Sequence, residues 1–121
     1  MSLLNGARVL IVEDEAILSL TLQDMLVDLG CVIAGTAARV DAALELVRNC
    51  VFDVAILDVN LNGKRVDAVA EAINARGTPI IFVTGYGQGG VPNVSAQVMA
   101  KPYDTAHLEQ TLNRALGASR C

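Results

Sequence analysis

Tryptophan is absent from this chain and histidine occurs once, at His107. A Ser-His-Asp relay or a histidine-rich metal centre therefore gains no support. The three cysteines, Cys31, Cys50 and Cys121, are odd in number, widely spaced and without a C-x-x-C pair. That spacing fits neither a zinc site nor a disulfide framework, and the thiols read as small hydrophobes plus a terminal group. No apolar run approaches the ~20 residues needed to cross a bilayer. No basic-then-apolar leader opens the sequence, so the expectation is a cytoplasmic protein without membrane contact. Basic stripes are missing too. Nine Lys and Arg are scattered among thirteen Asp and Glu, and the net charge of -4 argues against a nucleic-acid-binding surface.

What is present is a regular alternation. At 121 residues and 53% hydrophobic, the chain can bury one real core. Short apolar runs at 7–12, 31–35, 53–58, 79–84 and 95–100 read as strands. Helical spacing joins Leu18, Leu22, Met25, Leu26 and Leu29, and Gly30 is a natural stop. A second helix carries Val40, Ala43, Leu44 and Val47. A third carries Val66, Val69, Ala70 and Ile73 and ends at Gly77. The last carries Leu108, Leu112, Ala115 and Leu116, with Asp104 as its cap. The stretch 85–92 breaks the rhythm, with Gly85, Gly87, Gly89 and Gly90 and no helical face. Strand-helix alternation of this kind predicts an α/β fold, a doubly wound parallel sheet with helices on both faces. Ligands of such sheets bind at the carboxyl ends of the strands.

Those ends carry suggestive chemistry. The first strand ends in Glu13-Asp14, the third in Asp58, the fourth in Thr84 and the fifth in Lys101-Pro102. Three carboxylates brought together repel one another and need a cation. They are hard oxygen ligands, so Mg²⁺ is the natural ion. An ionised Asp58 beside it could attack phosphorus and form an acyl phosphate. Lys101 would neutralise charge on the transferring group, and the Thr84 hydroxyl would hydrogen-bond one of its oxygens. Each residue alone has a blander reading. An acidic pair after a strand is commonly a helix N-cap, and a lone Asp is often a turn residue. A Thr before Gly is often only a strand end, and a Lys before Pro a solvated charge. The order and placement of all five favour the functional reading.

The pieces V-L-I-V-E-D-E at 9–15, A-I-L-D-V-N at 55–60, F-V-T-G at 82–85 and K-P-Y at 101–103 resemble the receiver domain of two-component response regulators. The likeness covers nearly the whole chain. It implies a five-stranded flavodoxin-like sheet of order 2-1-3-4-5 in a single receiver domain, 1–121, with no output domain. It implies that Asp58 is the phosphoacceptor, with a histidine kinase or histidine phosphotransfer protein as donor. Asp14 and Asp58 would ligate Mg²⁺, Glu13 would act through the ion's waters, and Asn60 would add its backbone carbonyl. Thr84 becomes the switch hydroxyl and Lys101 the phosphate-side cation, and the Lys101-Pro102 peptide is expected to be cis. The implied function is a stand-alone phosphorelay switch acting on an unknown downstream protein. It would promote only its own phosphorylation and dephosphorylation.

The sequence departs from the family in three places. The aromatic switch position three residues before the lysine is Val98, and Tyr86 or Tyr103 are candidates to replace it. The Gly-rich 85–93 stretch predicts a short or missing fourth helix. Together with T-G-Y-G it resembles an atypical group of single-domain receivers from alphaproteobacteria. Many receivers have Pro where Asn62 stands, although Gly63 still permits a tight turn. Two other functions compete. A small phosphatase or phosphotransferase using Asp58 would need a further acid/base and a substrate cap, and no segment is long enough for a cap. A protein-binding module that is never phosphorylated would not require the acidic pair, Asp58, Thr84 and Lys101 together.

Overall fold

The computed structural model describes residues 4–85, 90–92, 94 and 96–119. Five parallel strands form the central sheet. They are β1 (Arg8–Val12), β2 (Val32–Ala37), β3 (Val54–Asp58), β6 (Ile80–Thr84) and β7 (Gln97–Ala100), in the order β2-β1-β3-β6-β7. That is the 2-1-3-4-5 order expected for the fold. Helices α1 (Ala16–Asp28), α2 (Val40–Asn49), α3 (Asp67–Ala75) and α4 (Thr105–Ser119) supply the crossovers and the covering layers.

The two-residue period of a strand explains the two cores. Val9, Ile11, Val54, Ile56, Ile81 and Val83 point to one face, where they meet Leu22 and Leu26 of α1 and Leu108, Leu112, Ala115 and Leu116 of α4. Leu10, Val12, Ala55, Leu57, Ile80 and Phe82 point to the other, against Ala43 and Val47 of α2 and Val69, Ala70 and Ile73 of α3. A sheet covered on both faces has no use for polar alternation, hence the unbroken apolar runs. Cys31 is buried in the first core and Cys50 is half-buried beside the second, both as free thiols. Cys121 lies outside the described residues.

Helix ends follow their local chemistry. Gly30 and Gly77 take φ of 91° and 74°, which a side chain resists, just after α1 and α3. The Asp104 side chain accepts the His107 N–H at 2.8 Å and caps α4 as expected. Arg76 stacks over the Phe52 ring at 4.6 Å and donates to the Val47 carbonyl, tying α3 to the end of α2.

No described residue between Thr84 and β7 is helical. Val94 and Ala96 pack directly against the second core, on the face where a further helix would lie. The turn after Asp58 is more ordered than its sequence implied. It forms a hairpin of β4 (Asn60–Leu61) and β5 (Lys64–Arg65), pairing Asn60 with Arg65 and Leu61 with Lys64. Asn62 and Gly63 have φ of 51° and 82°, the left-handed pair that an Asn-Gly hairpin turn requires.

Gly77 tests the backbone part of this account, because a Cβ there would meet nothing within 4 Å. Only conformational strain separates Gly77→Ala from the parent, so urea unfolding should show a loss of about 1 kcal/mol. An unchanged midpoint would refute the left-handed stop.

A candidate acidic phosphoacceptor site

The site is built from strand ends. Parallel pairing sets Val12 of β1 beside Leu57 of β3, so the next residues, Glu13-Asp14 and Asp58, emerge at the same sheet edge. Carboxylate oxygens of Glu13, Asp14 and Asp58 all lie within 4.8 Å of one another. Asp58 is buried, with its side chain 3% exposed, and Glu13 is nearly so at 9%.

Lys101 arrives from the end of β7. Its ammonium donates to Asp58 Oδ2 at 3.1 Å and stands 3.4 Å from Glu13 Oε1. The Lys101 N–H also donates to the Thr84 carbonyl at 2.8 Å, which locks the ends of β6 and β7 together. The peptide to Pro102 is cis. Thr84 follows Val83, the partner of Asp58 across the ladder, so it occupies the same edge one residue further on. Asn60 donates its backbone N–H to Asp58 Oδ1 at 3.2 Å, and its side-chain oxygen accepts the Gly63 N–H at 2.8 Å. Asp58 thus also performs the turn role that the simpler reading gave it.

The helix-cap reading of the acidic pair does not hold. The N-cap of α1 is Glu15, whose side chain makes no capping bond. Glu13 instead accepts the Glu15 N–H at 3.1 Å, and Asp14 Oδ2 accepts the Asn62 N–H at 2.9 Å from the hairpin. Both carboxylates are oriented by backbone donors at the sheet edge.

Burial and neighbouring charge both act on the groups of this site. Burial is the main cause that pushes Glu13 up to about 7, and Asp58 adds to it, while the Glu15 N–H and Lys101 oppose it. For Lys101, burial works toward a lower pKa. The hydrogen bond to Asp58 and the charges of Glu13 and Asp58 outweigh it and leave the group above its ordinary value. Anionic neighbours thus hold Lys101 charged.

Sequence reasoning brought together Glu13, Asp14, Asp58, Thr84, Lys101 and Asn60, and all stand at one edge. It missed the hairpin donors. The Asn62-Gly63 pair was the available signal, since that dipeptide marks a two-residue hairpin turn. Val98 is half exposed on β7, so no aromatic ring occupies the usual switch position. Tyr86 lies outside the described residues. Tyr103 is half-buried against the first core and lines a groove of about 170 Å³ with Leu18, Thr21, Met25, Lys101 and Pro102.

Burial raises the Tyr103 phenol above its ordinary range, helped by Glu13 and Asp58 and opposed by Lys101. The sign follows from the neutral phenol being the favoured folded form. The contribution to stability is present below the unfolded pKa and is lost as pH rises through the folded one. With Tyr86→Phe, Tyr103 is the only tyrosine, and its ultraviolet titration should fall above the usual value of about 10. Ionisation in the ordinary range would show that the ring is not buried in solution.

Among the described residues, no helix is long and apolar enough to cross a membrane. A family model described as "Response regulator receiver domain" matches residues 9–113. The transcriptional regulatory protein PdtaR of Mycobacterium tuberculosis is 37% identical over 82 residues, 67% of this chain and 40% of that protein. This chain therefore spans less than half the length of that curated relative. The solution structure of SdrG from Sphingomonas melonis Fr1 is 35% identical with a TM-score of 0.78, covering 96% of this chain and 98% of that one. The PhyR receiver domain of Erythrobacter litoralis is 31% identical with a TM-score of 0.78, covering 93% and 92% respectively. By sequence, fold and strand order, the chain belongs to the receiver domain family of two-component response regulators.

Proposed function

We propose that Asp58 accepts a phosphoryl group from a phosphohistidine on a partner kinase or phosphotransfer protein, and that the modified domain changes its binding to a downstream protein. The observation that carries this reading is a buried Asp58 carboxylate in contact with Lys101, with two more carboxylates crowded beside it.

The donor set fits a hard divalent ion. Three carboxylates lie within 4.8 Å, and burial together with the neighbouring Asp58 raises Glu13. Lys101 alone offsets only part of that charge. Asp14 and Asp58 would hold Mg²⁺, with Glu13 acting through its waters and Asn60 through its backbone carbonyl. Bound there, the ion would neutralise oxygens of the transferring group.

The chain's own residues supply the rest. A carboxylate oxygen of Asp58 forms the new bond to phosphorus as the P–N bond of the donor breaks, its electron pair leaving on the imidazole nitrogen. Lys101, 3.1 Å from Asp58, stands ready to pair with the phosphoryl oxygens. The Thr84 hydroxyl is assigned one of those oxygens, at the strand end that Lys101 fixes through its own N–H. The same groups support later hydrolysis, so the only chemistry performed is on the domain itself.

Incubation with Mg²⁺ and a small acyl phosphate should add one labile phosphoryl group, visible as an intact-mass increase. Asp58→Asn should abolish it, chelation of the metal should prevent it, and Lys101→Met should slow it by at least about tenfold. Steady phosphate release from simple esters would favour a phosphatase instead. No adduct on the parent protein would leave only a passive binding module.

A further inference from the structure

With Val98 half exposed where an aromatic switch residue would stand, the strand-five route for reporting phosphorylation is missing its usual part. A different physical connection runs from Asp58 to the segment after Thr84. It begins at Asp58 Oδ1, which accepts the Asn60 N–H at 3.2 Å. Asn60 is paired with Arg65 across the hairpin, and its side chain also braces the turn through Gly63. The hairpin is anchored by buried Leu61 and by the flanking pair Val59 and Val66, joined by the Val66 N–H to the Val59 carbonyl at 3.3 Å. Its tip holds Asp14 through the Asn62 N–H. From its last residue, the Arg65 Nη2 reaches 25 positions along the chain and donates to the Gly90 carbonyl at 2.6 Å. Arg65 Nε binds Asp67 at 3.0 Å, which fixes the plane of the guanidinium.

We infer that Arg65 is a positioning residue that couples the state of Asp58 to the 90–92 segment through the β4–β5 hairpin. The inference rests on the reading of Asp58 as the phosphoacceptor. The hairpin is short and internally bonded, so a displacement of Asn60 at its Asp58 end passes directly to the cross-strand partner Arg65. Modification of Asp58 alters the acceptor that Asn60 faces. Arg65 then carries the adjustment to Gly90, next to exposed Val91 and buried Pro92. A guanidinium suits this task because its charge is permanent and its donors keep a rigid fork. The arrangement also ties the acidic pair to the same surface, since Asp14 and Gly90 are held by opposite ends of one hairpin.

The test uses the whole chain labelled with ¹⁵N, with Mg²⁺ and beryllofluoride as the phosphoryl mimic. Fluorine resonances report occupancy at Asp58, and the Gly90 and Val91 amides report the segment. In the parent protein, occupancy should shift both amides. Arg65→Gln should keep the fluorine signal and the thermal midpoint yet lose the occupancy-dependent shift, and Arg65→Lys should restore part of it. Arg65 is exposed, so these variants should fold normally. An occupancy-dependent Gly90 shift in Arg65→Gln equal to that of the parent protein would overturn the coupling. Failure of the parent protein to bind beryllofluoride would instead overturn the Asp58 reading on which it rests.

Discussion

Three carboxylates share the carboxyl edge of one sheet, and keeping them there is the most demanding condition this fold meets. At an effective dielectric of about 20, two like charges about 5 Å apart repel by roughly 3 kcal/mol. The molecule meets this with one ammonium and a set of backbone donors. Lys101 contacts Asp58 and Glu13, while the N–H groups of Glu15, Asn60 and Asn62 each take one carboxylate. The elements around the site are arranged to deliver those donors. β7 ends where Lys101 must stand, and the hairpin turns where Asn62 must point its N–H. Glu13 still ends up raised, chiefly by burial and further by the neighbouring Asp58.

The fold was legible because its sheet is covered on both faces. Continuous apolar runs such as 9–12 and 54–57 have few other uses in a chain this small, and Gly30 and Gly77 marked the helix ends. The placement of the candidate residues was legible because they sit at strand ends, and parallel topology brings strand ends together without further information. Less visible was anything that depended on a long-range contact of an exposed group. Nothing in the sequence couples Arg65 to a backbone carbonyl 25 residues away, since any arginine on the surface reads alike. The two-residue strands of the hairpin are too short to show a period, which left the Asn62-Gly63 pair as the sole clue. The preference of acidic residues for helix N-caps was a fair competitor for Glu13 and Asp14. It lost because Glu15 occupies the cap and the pair is held elsewhere.

The described residues between Thr84 and β7 are non-helical, which fits this picture. Val94 and Ala96 retain part of the apolar cover over the second core, so the sheet is not left bare. Anchorage of this segment to the domain then includes a side chain of the hairpin beside the acidic site. In a receiver whose fourth helix is intact, packing of that helix would hold the surface in place. Here Arg65 contributes through hydrogen bonding, an interaction with directional character.

The apolar character of β1 on both faces has one more consequence, for how the chain finds its pairing. A strand with one wet face is locked in place because slipping by one residue would expose its hydrophobes. The run 9–12 lacks that safeguard, since each neighbour would remain buried after a slip. The edge strand β2 already accommodates such an offset, skipping Ala34 between its pairings with Val9 and Leu10. What penalises a slip of β1 is Glu13, which would be drawn inward among apolar side chains, away from Lys101. The charges gathered at this edge therefore also discriminate against misaligned pairing of β1.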